Sequence, residues 1–154
     1  MCSSDLKDIV AVLGPQDNPA VVDRLRGYRA VLGEDLPDAN VIYTGWNSGD
    51  GYQAMHLILA RKIAFDGVLC GSDRIAAGVI TALNEAGLSV PADVSVVGFD
   101  DHEIATRCVP ALTTVRQPLR EEGHMAANIA LDMIKGAEPT TSVMHMQLIQ
   151  RDSL

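Results

Sequence analysis

Positive charge is scarce in this chain: 12 lysines and arginines stand against 20 aspartates and glutamates, a net charge of −8. A surface that grips a phosphate backbone gathers Lys and Arg on one face. Here the charges are scattered, which excludes nucleic-acid binding by these residues themselves. Aromatic residues make up only 4% of the chain against 47% apolar overall, so a core must be packed from Ala, Val, Ile and Leu, as in α/β folds. No apolar run reaches the length of a membrane span. Cysteine is limited to Cys2, Cys70 and Cys108, an odd number without a C-x-x-C pair. That argues against a disulfide framework and for free thiols in a cytosolic protein, with Cys70 a small core residue. His56, His102, His124 and His145 share no ligand spacing with the cysteines, so no metal is expected. The G-x-S-x-G elbow, the G-x-G-x-x-G fingerprint and the P-loop are also missing, and nothing demands catalysis or a cofactor.

What is present is a βα rhythm. Residues 9–13 form an apolar strand ended by Gly14-Pro15, and Asn18 caps a helix with Pro19 in its first position. Val21, Leu25, Tyr28 and Leu32 share one face of that helix, which Gly33 ends. Residues 41–43 are the next strand, leaving into a polar, Gly-rich loop over 44–51. A helix over 51–62 is expected to bury Ala54, Leu57, Ile58 and the stem of Arg61. Strand 67–70 turns at Gly71-Ser72 into a helix over 73–86, with Ile75, Val79 and Leu83 in line, flanked by Ala76 and Ile80. Four such alternations with short connections make an open, doubly wound parallel sheet with helices on both faces. Beyond Pro118, residues 121–135 are amphipathic through Met125, Ile129 and Met133, and 145–150 form a last strand.

The richest stretch is VSVVGFDDHEIATRCVPALTTVRQP, residues 94–118. Its first five residues read as a strand buried on both faces. Asp100 and Asp101 come directly after it, where open α/β sheets place their ligands. Asp100 can accept two hydrogen bonds from a polyol or a base and is the main candidate. Asp101 is expected to be structural, capping the segment after it. After a strand over 112–115, Gln117 can donate to a ligand or, as a hinge residue, bond backbone. Arg24 can span two ligand oxygens with its fork, or sit solvated on its helix. Trp46, the only tryptophan, can stack on a sugar face or pack across its loop as a lid. Ser72 and Asp73 can cap their helix or face a ligand.

The runs VPADVSVVGFDD, PALTTVRQP and SDRIAAGVITALNEAGLSVP together resemble the effector-binding domain of lactose-repressor/galactose-repressor family transcription regulators, over about 7–153. The resemblance implies a two-lobed, periplasmic-binding-protein-like fold whose first lobe is largely missing here. Residues 7–116 would be the ligand-binding lobe, 117–142 a crossover and helix belonging to the first lobe, and 143–154 a returning strand closed by Arg151-Asp152-Ser153. The helix of the first lobe would expose Met125, Ile129 and Met133 or bury them on another copy. Operator DNA would be read only by a helix-turn-helix outside this chain. Homodimerisation through segments around 75–80 and 104–110 is implied as well. Asp23 to Tyr28 matches the R-L-x-G-[FWY] motif, Trp46 takes the ring-stacking place, and the Ser72-Asp73 pair faces the cleft in the family. The expected function is therefore small-molecule sensing, with a sugar or derivative held by Arg24, Trp46, Ser72, Asp73, Asp100 and Gln117 on one rim of the sheet. Rival readings are a periplasmic sugar-transport component, disfavoured by the free cysteines and the LTTVRQP run, and a doubly wound enzyme. Residues 1–6 fit no fold and read as a translated adapter scar, since TGC-TCT-TCC-GAT-CT would encode Cys2 to Leu6.

Overall fold

Short apolar runs become central strands when both of their faces are covered. The computed structural model describes residues 8–154, so the segment read as a scar lies outside the described residues. β1 (Ile9–Leu13), β2 (Val41–Tyr43), β3 (Gly67–Cys70), β4 (Ser95–Asp100) and β5 (Thr113–Arg116) run parallel, in the order β2-β1-β3-β4-β5. β6 (Gln147–Ile149) completes the sheet antiparallel to β5. The expected parallel sheet is present in five strands, and the returning strand, expected without a direction, is antiparallel at one edge. The chain leaves β5 at its carboxyl end and returns at that same end, with Gln147 beside Arg116, so β6 has to run back down.

Along β1, Val10 and Val12 enter one apolar layer while Ile9, Ala11 and Leu13 enter the other. α1 (Pro19–Leu32) covers the second layer through Val21 and Leu25, and starts where Asn18 Oδ1 accepts from Ala20 N at 2.9 Å. α2 (Ser48–Arg61) and α3 (Asp73–Glu85) cover the first layer through Met55, Ile58, Ile75, Val79 and Leu83. Helices therefore lie on both faces, as the alternation required.

α2 begins three residues earlier than expected because Asp50 accepts from Asn47 N at 2.8 Å and closes a capping box. Its buried stripe is Gly51, Ala54, Met55 and Ile58; Leu57, expected inside, is 42% exposed. The reason lies across the interface. A Cβ on Gly78 would overlap the Ser48 carbonyl, and one on Gly51 the Ile75 carbonyl, so α2 meets α3 backbone to backbone along the Gly51 line.

A short helix not anticipated from sequence, α4 (Ile104–Arg107), comes after β4, and α5 (Leu119–Ile134) comes after β5. α5 has no buried residue: Leu131, Met133 and Ile134 are exposed, while Met125 and Ile129 are half-buried. At the end of the chain Ser153 is fully buried between β4 and β5. Its Oγ donates to Val96 O at 2.6 Å and accepts from Thr113 N at 2.8 Å, bridging the two strands just before they begin to pair.

Candidate ligand-binding site

Strand order reverses between β1 and β3, and in open α/β sheets the crevice beyond the carboxyl ends at such a reversal takes the ligand. A glycine follows each strand, Gly14 after β1 and Gly71 after β3. A Cβ on Gly71 would stand 3.1 Å from Gly14 N, and one on Gly14 would run into the Trp46 ring. Trp46, arriving from the loop after β2, thus covers Gly14, half-buried against both apolar layers. Arg24, from α1, donates from Nη1 to Gly71 O at 2.6 Å. Its guanidinium carbon lies 3.6 Å from the centroid of the Phe99 ring, a cation–π contact. Next to Phe99, Asp100 Oδ1 accepts from Gln117 Nε2 at 2.6 Å. A hollow of about 430 Å³ opens here, lined by Arg24, Tyr28, Phe99, Gln117 and Met146.

Burial pushes the Asp100 carboxyl up from the ordinary range, while the Gln117 hydrogen bond and the nearby Arg24 and His102 pull it back. Burial also raises the Tyr28 phenol to about 12, so it remains a hydrogen-bond donor at neutral pH. Asp100 has φ 112° and Asp101 φ 55°, a region that residues with a Cβ rarely enter and that recurs at functional sites. Surrounding groups hold the pair there. Asp101 Oδ2 accepts from Arg116 Nε and Oδ1 from Arg151 Nη2, each at 2.6 Å. Burial would raise the Asp101 carboxyl, but the Arg151 and Arg116 guanidiniums outweigh it and hold the group below the usual range. Asp101 is structural, through two ion pairs rather than as a cap.

Of the six candidates, Arg24 and Gln117 line one hollow, Asp100 adjoins it through its bond to Gln117, and Trp46 lies over Gly14 at the end of β1. Ser72 and Asp73 are committed elsewhere. Ser72 Oγ accepts from Ile75 N at 3.2 Å as the cap of α3. Asp73 is fully buried; Oδ1 accepts from Thr114 Oγ1 at 2.5 Å and Oδ2 from His102 N at 2.6 Å. Burial raises its carboxyl to about 6 against those two hydrogen bonds. Both oxygens are used inside the fold, one of them on the backbone that carries Asp100. Sequence reasoning missed Phe99 and Tyr28. The available signals were slight: Tyr28 stands one helical turn after Arg24, and Phe99 immediately precedes Asp100.

Guanidinium and amide donors beside a carboxylate, against an aromatic wall, suit a ligand rich in hydroxyls or ring nitrogens. A second hollow, about 320 Å³ between α5 and residues 142–144, is lined by Met125, Ala126 and Ile129 and lacks such a cluster. Among the described residues no helix is long and apolar enough to cross a membrane, and no three His, Cys, Asp or Glu side chains converge to hold a metal.

An open, mostly parallel α/β sheet with a polar cluster at its carboxyl edge defines the class: a doubly wound α/β domain. Residues 3–154 match the periplasmic binding protein-like domain, and the chain belongs to that family, in the branch found in lactose-repressor/galactose-repressor regulators. The HTH-type transcriptional repressor PurR of Escherichia fergusonii is 37% identical over 153 residues, which cover 96% of this chain and 45% of the repressor. Among solved structures, the transcriptional regulator CelR–cellobiose complex matches with a TM-score of 0.91 and 34% identity, over 97% of this chain and 47% of that one. The lac repressor dimer bound to operator and the anti-inducer ONPF matches with a TM-score of 0.90 and 28% identity, over 97% and 53%. The chain thus spans about half the length of the relatives it matches.

Proposed function

We propose that this chain is the effector-sensing part of a bacterial, cytoplasmic transcription regulator, and that the effector is a sugar or sugar derivative. The observation that carries the reading is the Arg24–Asp100–Gln117 cluster, in which Arg24 and Gln117 line one hollow at the sheet's carboxyl edge and Gln117 bonds the Asp100 carboxylate beside it. The effector would be held between this lobe and a second one, and its preference for one arrangement of the lobes would shift DNA binding by a separate helix-turn-helix. No catalysis is involved. The division into a lobe over 7–116, a crossover and helix over 117–142 and a return over 143–154 belongs to the same proposal. It is supported by the exposed Leu131, Met133 and Ile134, which a first lobe would cover. Homodimerisation would use the α3–α4 face, where Val109 is 80% exposed. The transport and enzyme readings gain no supporting observation.

The test is calorimetric titration with cellobiose, a free pentose and a free purine base as probes. One sugar is expected to bind, and Asp100→Asn or Arg24→Gln should weaken it by about 1.5–3 kcal/mol, the range for hydrogen bonds to charged groups. Trp46→Ala should cost roughly 1–3 kcal/mol if the ring is a contact anchor. Undiminished affinity in Asp100→Asn would remove the cluster from the site.

A further inference from the structure

Asp100 is aimed by its backbone, and that backbone is held from outside the hollow. The segment 100–102 is pinned at three points. Thr114 Oγ1 accepts from Asp101 N at 3.4 Å, Asp73 Oδ2 accepts from His102 N at 2.6 Å, and the Asp101 side chain carries two arginines. The first two are bonds within the central sheet and its helix. The third is different in kind, because its arms stand where the chain leaves and re-enters the sheet. Arg116 is the last residue of β5, next to Gln117 and the crossover. Arg151 lies two residues past β6 on the returning segment.

Arg151 is the more firmly built arm. Its side chain is 16% exposed against 50% for Arg116, and that of Asp101 only 9%. Nη1 of Arg151 donates to Leu112 O at 2.8 Å, and its backbone N donates to Thr113 Oγ1 at 2.8 Å. One guanidinium thus joins the residue before β5 to the Asp101 carboxylate. Two residues on, Ser153 is locked between β4 and β5, so the base of the arm cannot drift. Two adjacent non-glycine residues at positive φ would relax toward ordinary backbone angles if released.

We infer that Arg151, which lies outside the hollow, is a positioning residue that sets the aim of the Asp100 carboxylate by clamping Asp101. The inference rests on the reading of Asp100 as a binding residue and adds a route by which a change at the chain's crossings reaches it. Loss of the clamp would release the turn at 100–101 and then the Asp100–Gln117 pair.

The test needs no ligand, so it stays separate from the sensing proposal. NMR would follow the Gln117 side-chain amide, whose shift and hydrogen exchange report its bond to the Asp100 carboxylate, in the parent chain, Arg151→Gln, Arg151→Lys and Arg116→Gln. Release of the turn would break that bond and bring the amide to the exchange rate of a solvated side chain, whereas loss of a charge outside the hollow would leave the bond in place. Loss of the bond is expected in Arg151→Gln, partly restored in Arg151→Lys. Arg116→Gln, an arm half in solvent, should show a smaller change and carries the test if Arg151→Gln does not fold. A Gln117 amide that is unchanged in Arg151→Gln while the Asp101 carboxylate titrates higher would overturn the positioning role. If the positioning holds and no probe binds in calorimetry, only the sensing proposal fails.

Discussion

Gly78→Ala should lower the stability of the chain by about 3 kcal/mol or more, the upper part of the range for forcing volume into a closed contact. At this chain length the melting temperature should fall by roughly 6–12 °C. Helix propensity alone points the other way, since alanine in place of a mid-helix glycine gains about 1 kcal/mol. The sign is decided by what the new methyl meets. It would overlap the Ser48 carbonyl oxygen and stand 2.7 Å from Tyr52 N. Both are backbone atoms and cannot swing aside as a side chain would, so α2 and α3 would have to separate. Their separation would open the layer containing Met55, Ile58, Ile75 and Val79. Gly27→Ala is the matched control, because a Cβ there meets nothing within 4 Å. It should stabilise α1 by up to about 1 kcal/mol. Urea unfolding of the three chains reads both signs at once. A Gly78→Ala chain as stable as its parent would sink the account of α2 and α3 as touching backbones.

The same contact shows where reading from sequence stops. The strand runs, the Asn18-Pro19 start of α1 and the Ser72 cap of α3 were legible because each depends on residues within one turn of chain. The exposure of Leu57 was not. Which side of α2 is buried is set by a glycine on another helix, and within a single helix Gly78 reads only as a weak helix former. β6 illustrates a second limit, since three residues carry no mark of strand direction and only the path of the crossover decides it. For the site, the strand-end rule and the family resemblance together brought Arg24, Asp100 and Gln117 to one rim. Asp73 was placed at the same rim by the family's S-D pair after the Cys70 strand. Its actual partners, His102 N and Thr114, lie 29 and 41 residues away, beyond any local pattern.

Asp73→Ala should therefore be costly to folding before it affects binding. It leaves a buried hydroxyl and a backbone N–H without their acceptor, each worth about 1–3 kcal/mol when unsatisfied, and a total loss of about 2–5 kcal/mol is expected. Asp73→Asn should be milder. Its carbonyl can still accept from His102 N, and its amide can donate to Thr114 Oγ1 once that hydroxyl turns. The informative measurement is the difference in stability between the parent and Asp73→Asn as a function of pH. Burial raises the Asp73 carboxyl from 3.8 to about 6, so the folded chain holds this proton more tightly than the unfolded chain. The contribution from Asp73 is then fully present below about pH 4 and is lost as pH rises through about 6. Asparagine does not titrate, so the parent's advantage over Asp73→Asn should shrink across that window and level off above it. Asp101, held low by its arginines, acts in the opposite direction, with stability present above its unfolded value and lost as pH falls. Asp100 and Asp101 enter the difference only through their repulsion with Asp73, which is part of what raises the Asp73 carboxyl. A difference that stays flat from pH 4 to 7, or widens with rising pH, would mean that Asp73 is not a desolvated carboxylate. The brace beneath the Asp100–Asp101 turn would then have to be something else.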